Sequence, residues 1–165
     1  LVKNIPDFKI SYNKSSSKNL SFNFKCLQAP LFVIGFDGRS YELMKSYFPK
    51  REIVSIENIY QYKSISKESE IKTGNQEIKP GAAVGVQLSV GDASILSIGT
   101  ATYCKDNYVL AFGHPFMHQG IVSYLLSAVN IYHSFPSMIM PFKIGAPYLL
   151  LGEVIQDREV GISVS

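Results

Sequence analysis

The stretch after Pro80 constrains this chain most. Val84, Val86, Leu88 and Val90 alternate with Gly85, Gln87 and Ser89, the period-two pattern of a strand with one face in a core. Gly91-Asp92 interrupts it, a second run passes through Ile98, Thr100 and Thr102, Lys105-Asp106-Asn107 interrupts again, and Tyr108 to Phe112 forms a third run. Tight turns join antiparallel neighbours, so the three runs predict a meander. Shorter apolar runs follow at Leu125 to Tyr132, Leu149 to Ile155 and Val160 to Ser165, punctuated by Pro136, Pro141 and Pro147. The last run alternates cleanly and then stops, which reads as part of a longer domain.

Upstream, two weakly alternating runs (Phe8, Ile10 and Tyr12; Leu20, Phe22 and Phe24) flank a polar break at residues 13 to 19 and predict two strands joined by a loose hairpin. Pro30 to Phe36 reads as a buried strand, and Asp37-Gly38-Arg39-Ser40 as a turn into an amphipathic helix. Asp37 or Ser40 can cap that helix, and Pro49 stops it. Its glycines match neither the P-loop nor the dinucleotide-binding spacing. Residues 64 to 79 are polar and charged, as in a linker or mobile loop. The chain therefore divides into an N-terminal strand-helix module (1–63), a linker (64–79) and a β domain (80–165). The class is mainly β with some α.

Composition narrows the partners. Hydrophobic residues make up 46% of the 165, enough for one sizeable core. The net charge of +3 is spread over 16 basic and 13 acidic residues with no long basic run, which argues against nucleic acid as a partner. No run of about 18 apolar residues is present to span a bilayer. Cys26 and Cys104 lack the spacing of a zinc or redox motif and read as buried free thiols, with a disulfide as the alternative. No metal or cofactor is expected: His114 and His118 are four apart, but Pro115 disrupts a shared helical face, and His133 reads as a core or rim residue.

The segment Val109-Leu110-Ala111-Phe112-Gly113-His114-Pro115-Phe116 runs an apolar strand directly into Gly-His-Pro. Glycine lets the backbone leave the sheet and proline fixes the next dihedral, so the His114 imidazole sits on a stiff turn. That placement suits a general base at the edge of a concave surface. The alternative is a histidine that only hydrogen-bonds its own turn.

Lys79-Pro80-Gly81, Gly91-Asp92, Gly99-Thr100, Ala111 to Phe116, Gly120, Pro136-Ser137, Phe142-Lys143, Gly152, Gln156-Asp157-Arg158 and Gly161-Ile162 together resemble, in order and spacing, the SpoIVB-type (stage IV sporulation protein B) serine peptidase domain. Ala29 to Asp37 is similar to the stretch that precedes this domain in long envelope members. The resemblance implies an antiparallel, trypsin-like β-barrel lobe, an extracytoplasmic location, and a protein or peptide substrate that can be the chain itself. It maps the family's catalytic histidine onto His114. The family's serine segment, of Gly-Met-Ser-Gly-Ser-Pro type, does not occur in residues 1–165, so the nucleophile would have to come from the remainder of the same polypeptide. Ser123, Ser127, Ser134, Ser137 and Ser163 lack a nucleophile-elbow context.

Asp157 is the best local option for the acidic partner, since it follows an apolar strand at a separation from His114 like that in barrel proteases. An ion pair with Arg158 is the structural alternative. Two functions compete: a peptidase domain inactive without its serine segment, and a non-catalytic envelope interaction module on the same scaffold. A regulatory fragment released by autoproteolysis is a third.

Overall fold

The computed structural model describes residues 8–12, 20–24, 28–56, 72–73, 77–137 and 141–164. Strands β1 (Phe8–Tyr12) and β2 (Leu20–Phe24) pair antiparallel, Phe8 opposite Phe24 and Tyr12 opposite Leu20, as the paired alternation predicts. The other strands among the described residues belong to one nine-stranded sheet.

The continuous apolar run Leu31–Ile34 forms β3, buried at every position because both of its faces are covered. The chain then turns into α1 (Gly38–Ser46). Asp37 is the N-cap: its N–H donates to Ser40 Oγ at 3.0 Å, and the Ser40 hydroxyl lies 2.7 Å from the Asp37 carbonyl. The helix ends before Pro49, and the chain returns as β4 (Ile53–Ile56), parallel to β3.

The meander forms as its turn residues require. Strands β6 (Ala83–Ser89), β7 (Ser94–Lys105) and β8 (Tyr108–Ala111) pair antiparallel in sequence. Asp106 takes φ +53° in the β7–β8 turn, a conformation that aspartate tolerates better than most side chains. The later runs are longer than the prolines suggested. Strand β9 spans Gly120–Phe135 and β10 spans Phe142–Arg158. Pro147 lies inside β10 without ending it because the register with β9 slips between Pro147 and Leu149, and an irregular ladder tolerates a missing N–H. The last run, β11 (Gly161–Val164), pairs with both β10 and β8.

The trypsin-like β-barrel implied by the resemblance is not what forms. Hydrogen bonding runs β7-β6-β9-β10-β11-β8 and returns to β7, closing a ring. The ring is uneven: β8 and β11 have four residues each, whereas β9 and β10 have 16 and 17. A regular barrel needs a uniform tilt and stagger, which strands so unequal cannot share. Strand β7 also branches. It pairs with β6 along one edge, and divides the other between β3 near Ile95 and β8 from Ala101. The strand-helix module is thereby hydrogen-bonded into the same sheet as the β domain. Most of the expected linker lies outside the described residues; Lys72–Thr73 forms β5, parallel to Leu149–Leu150 of β10.

Side chains on the two faces build two apolar clusters. Leu31, Val84, Val86, Phe116, Leu126 and Val154 anchor the larger, and Phe32, Ile34, Leu96, Ile98 and Val129 the smaller. Burying each of these side chains contributes roughly 1.5–3 kcal/mol. Cys104 is a half-buried free thiol whose pKa burial raises; Cys26 lies outside the described residues. No helix among the described residues is long and apolar enough to cross a membrane.

Candidate functional site

The loop between β8 and β9 carries His114, and its backbone is unusual. Phe112 (φ +77°), Gly113 (φ +67°), His118 (φ +55°) and Gly120 (φ +83°) all adopt left-handed conformations. At a bulky residue such as Phe112 that geometry costs about 1–3 kcal/mol and persists only where neighbours impose it. The neighbours are identifiable. The Phe112 ring lies over Gly99, its Cδ2 2.5 Å from the point where a Cβ would stand, so only glycine leaves room beneath it. Phe112 meets His114 edge-on at 5.6 Å and Phe116 at 6.0 Å, and Phe116, fully buried, meets Tyr124 at 5.8 Å.

Asp157 fixes the polar side of the same loop. Its carboxylate, wholly buried, accepts the backbone N–H of Phe116 at 2.8 Å, of Met117 at 2.6 Å and of Gln119 at 3.3 Å. These N–H groups point into the core, where the carboxylate satisfies them in place of a ladder partner. The counter-charge is Arg51 rather than the expected Arg158, which donates to Gln156 at 3.4 Å. Arg51 donates to the Phe116 carbonyl, Gln28 Oε1 and the Ala29 carbonyl, each at 2.8 Å, and its guanidinium lies 5.4 Å from the Phe116 ring centre. Burial lowers its pKa to about 10 against the opposing pull of Asp157. The cation therefore stays charged at neutral pH, and desolvation exceeds what Asp157 returns. Burial, with Asp157 second, also raises the Tyr124 phenol.

His114 is half-buried on the wall of a cleft of about 210 Å³. Its Nδ1 lies 2.9 Å from the Pro115 carbonyl. A carbonyl only accepts, so Nδ1 carries a proton and the neutral ring keeps its lone pair on Nε2. His114 thus projects from the loop that Asp157 of β10 holds, but no hydrogen bond joins the two among the described residues. The acid fixes the backbone; the imidazole is oriented by a carbonyl.

The cleft also holds residues that the sequence did not single out for chemistry. Pro30, Phe32, Ile98, Phe112 and Phe142 supply apolar walls, and Gln28, Thr100 and Lys143 are polar. Lys143 Nζ donates to Thr100 Oγ1 at 3.1 Å. Both lie in the segments Gly99-Thr100 and Phe142-Lys143, which carry the family resemblance but no chemical motif. Arg51 had no local signal, because its hydrogen-bond partners are 22 to 65 residues away in sequence and Asp157 lies farther still.

None of the five serines considered lines this cleft. Ser127 is buried and donates to Gln87 Oε1 at 3.0 Å, and Ser163 is buried with no partner for its hydroxyl among the described residues. His118 has a buried Nδ1 without a partner among the described residues, and His133 is exposed, packed edge-on against Phe135. No family model, curated protein or solved structure matches the chain.

Proposed function

We propose that this chain carries the general-base half of a SpoIVB-type serine endopeptidase site, whose nucleophile comes from a Gly-x-Ser-Gly segment outside residues 1–165. The observation that carries the reading is His114 itself: a half-buried imidazole on a cleft wall, with Nδ1–H bound to a carbonyl and Nε2 left as acceptor. In that state the ring can take a proton from an incoming hydroxyl during attack on a peptide carbonyl, then return it to the leaving amine. Asp157 acts as a positioning residue, holding the loop from which His114 projects. The substrate is a protein or peptide, the chain itself included, and the location is extracytoplasmic.

An active-site-directed fluorophosphonate tests this. The 165-residue chain should remain unlabelled, because a base without a nucleophile forms no covalent adduct. A longer product containing a Gly-x-Ser-Gly segment should be labelled at that serine. Labelling of the short chain would place the nucleophile within it. An unlabelled long product would favour the non-catalytic interaction module, a reading supported by Asp157 being committed to backbone N–H groups.

A further inference from the structure

The cleft beside His114 is furnished for more than proton transfer. Among the described residues that line it, Lys143 is the one lysine or arginine, and no Asp or Glu is among them. Lys143 is half-buried near the start of β10, opposite Ser134 of β9, and its side chain reaches Thr100 on β7. A lysine ammonium has three N–H donors, of which the Thr100 hydroxyl occupies one. Gln28 lines the same cleft, and its Oε1 already accepts from Arg51, which leaves the amide nitrogen as a donor.

The lining therefore joins a cation and a spare amide donor to apolar walls from Pro30, Phe32, Ile98, Phe112 and Phe142. Burial among such walls lowers the local dielectric, which strengthens attraction between Lys143 and an anion. At about 210 Å³ the space falls below the roughly 300–1,000 Å³ of cofactor and drug-sized sites and suits a single side chain.

We infer that this cleft is a subsite for a peptide carboxylate, with the Lys143 ammonium, oriented by Thr100, as its charge partner beside His114. The inference deepens the peptidase reading by naming the substrate class, acidic peptides, and rests on that reading for its catalytic meaning. Binding itself requires no nucleophile and can be measured on the 165-residue chain.

The carboxylate has two sources, an internal Asp or Glu side chain or a free peptide C-terminus. Four labelled pentapeptides separate them by fluorescence anisotropy: an end-blocked peptide with central Glu, its Gln counterpart, an all-alanine peptide with a free C-terminus, and the same peptide amidated. The central-Glu peptide should bind at least about tenfold more tightly than its Gln counterpart, a preference that shrinks with added salt. A preference for the free C-terminus over the amide, without a Glu preference, would assign the subsite to chain ends. Lys143→Met should abolish either preference, whereas Lys143→Arg should retain most of it.

Equal binding of all four peptides, or no binding, would overturn the inference, as would a preference that survives Lys143→Met in a folded variant. Should Lys143→Met fail to fold by circular dichroism, the Lys143 side-chain ammonium resonance of the unaltered chain decides the matter. It should shift on titration with the preferred peptide and not with its uncharged counterpart; no shift refutes the assignment. These outcomes are independent of fluorophosphonate labelling: carboxylate binding without labelling of the longer product would leave the subsite and remove the peptidase, and labelling without any carboxylate preference would do the reverse.

Discussion

Asp157→Ala is expected to lower the free energy of unfolding by about 3–5 kcal/mol, the range for removing one partner of a buried charged pair. Three backbone N–H groups lose their acceptor, two of them bound at 2.8 Å or less, and the half-buried Arg51 loses its counter-charge. Asp157→Asn keeps one acceptor oxygen and should cost less, about 1–3 kcal/mol. Arg51→Met should also destabilise, but the double variant should fall short of the sum, with a coupling of about 0.5–3 kcal/mol. Urea unfolding of the four variants and the parent chain measures this. A loss below about 1 kcal/mol for Asp157→Ala would mean that the β8–β9 loop is held chiefly by Phe116 and Pro115.

His114→Ala should separate chemistry from stability in the opposite sense. In a longer product bearing the serine segment, fluorophosphonate labelling should drop about a thousandfold or more, since the attacking hydroxyl loses its proton acceptor. Stability should change by less than about 1 kcal/mol, because the ring is half-buried and its Nδ1 hydrogen bond serves only the adjoining carbonyl. Asp157→Asn in that product should give an intermediate loss of labelling accompanied by lower stability. Labelling that persists in His114→Ala would place the base elsewhere.

Much of the local structure was legible because it is written in neighbouring residues. Asp37 with Ser40 announced a helix start, Gly91-Asp92 and Asp106-Asn107 announced turns, and Gly113-His114-Pro115 announced a stiffened loop at a strand end. The sheet order was less accessible. That β7 should divide one edge between β3 and β8 depends on which distant strands reach it, and alternation within β7 does not encode a partner. Pro147 misled for a related reason: a proline ends a strand only where the ladder needs its N–H, and the slip in register at that point removes the need.

The site divides the same way. The turn that carries His114 was recognisable from its own tripeptide. Asp157 was singled out by position, but its engagement with backbone N–H groups could not be foreseen, since an aspartate after an apolar strand reads alike whether it meets an imidazole or an amide. Arg51 and Lys143 gave no local sign, because each acquires its setting only when strands far apart in sequence come together.

The closing of the strand ring bears on how the chain reaches its native state. Val109 to Ala111 cannot complete their pairing until Ile162 to Val164 arrive, and the β9–β10 hairpin lies between them in sequence. Closing that span from an unstructured chain carries a loop entropy that a preformed hairpin shortens, so a route in which β9 and β10 zip first is favoured. Contacts between β8 and β11 then belong to the last events of folding, and weakening them should accelerate unfolding while leaving the refolding rate almost unchanged. A stopped-flow comparison of the parent with Ile162→Val would show it: a steeper loss on the refolding side would mean that the ring seam is part of the nucleus.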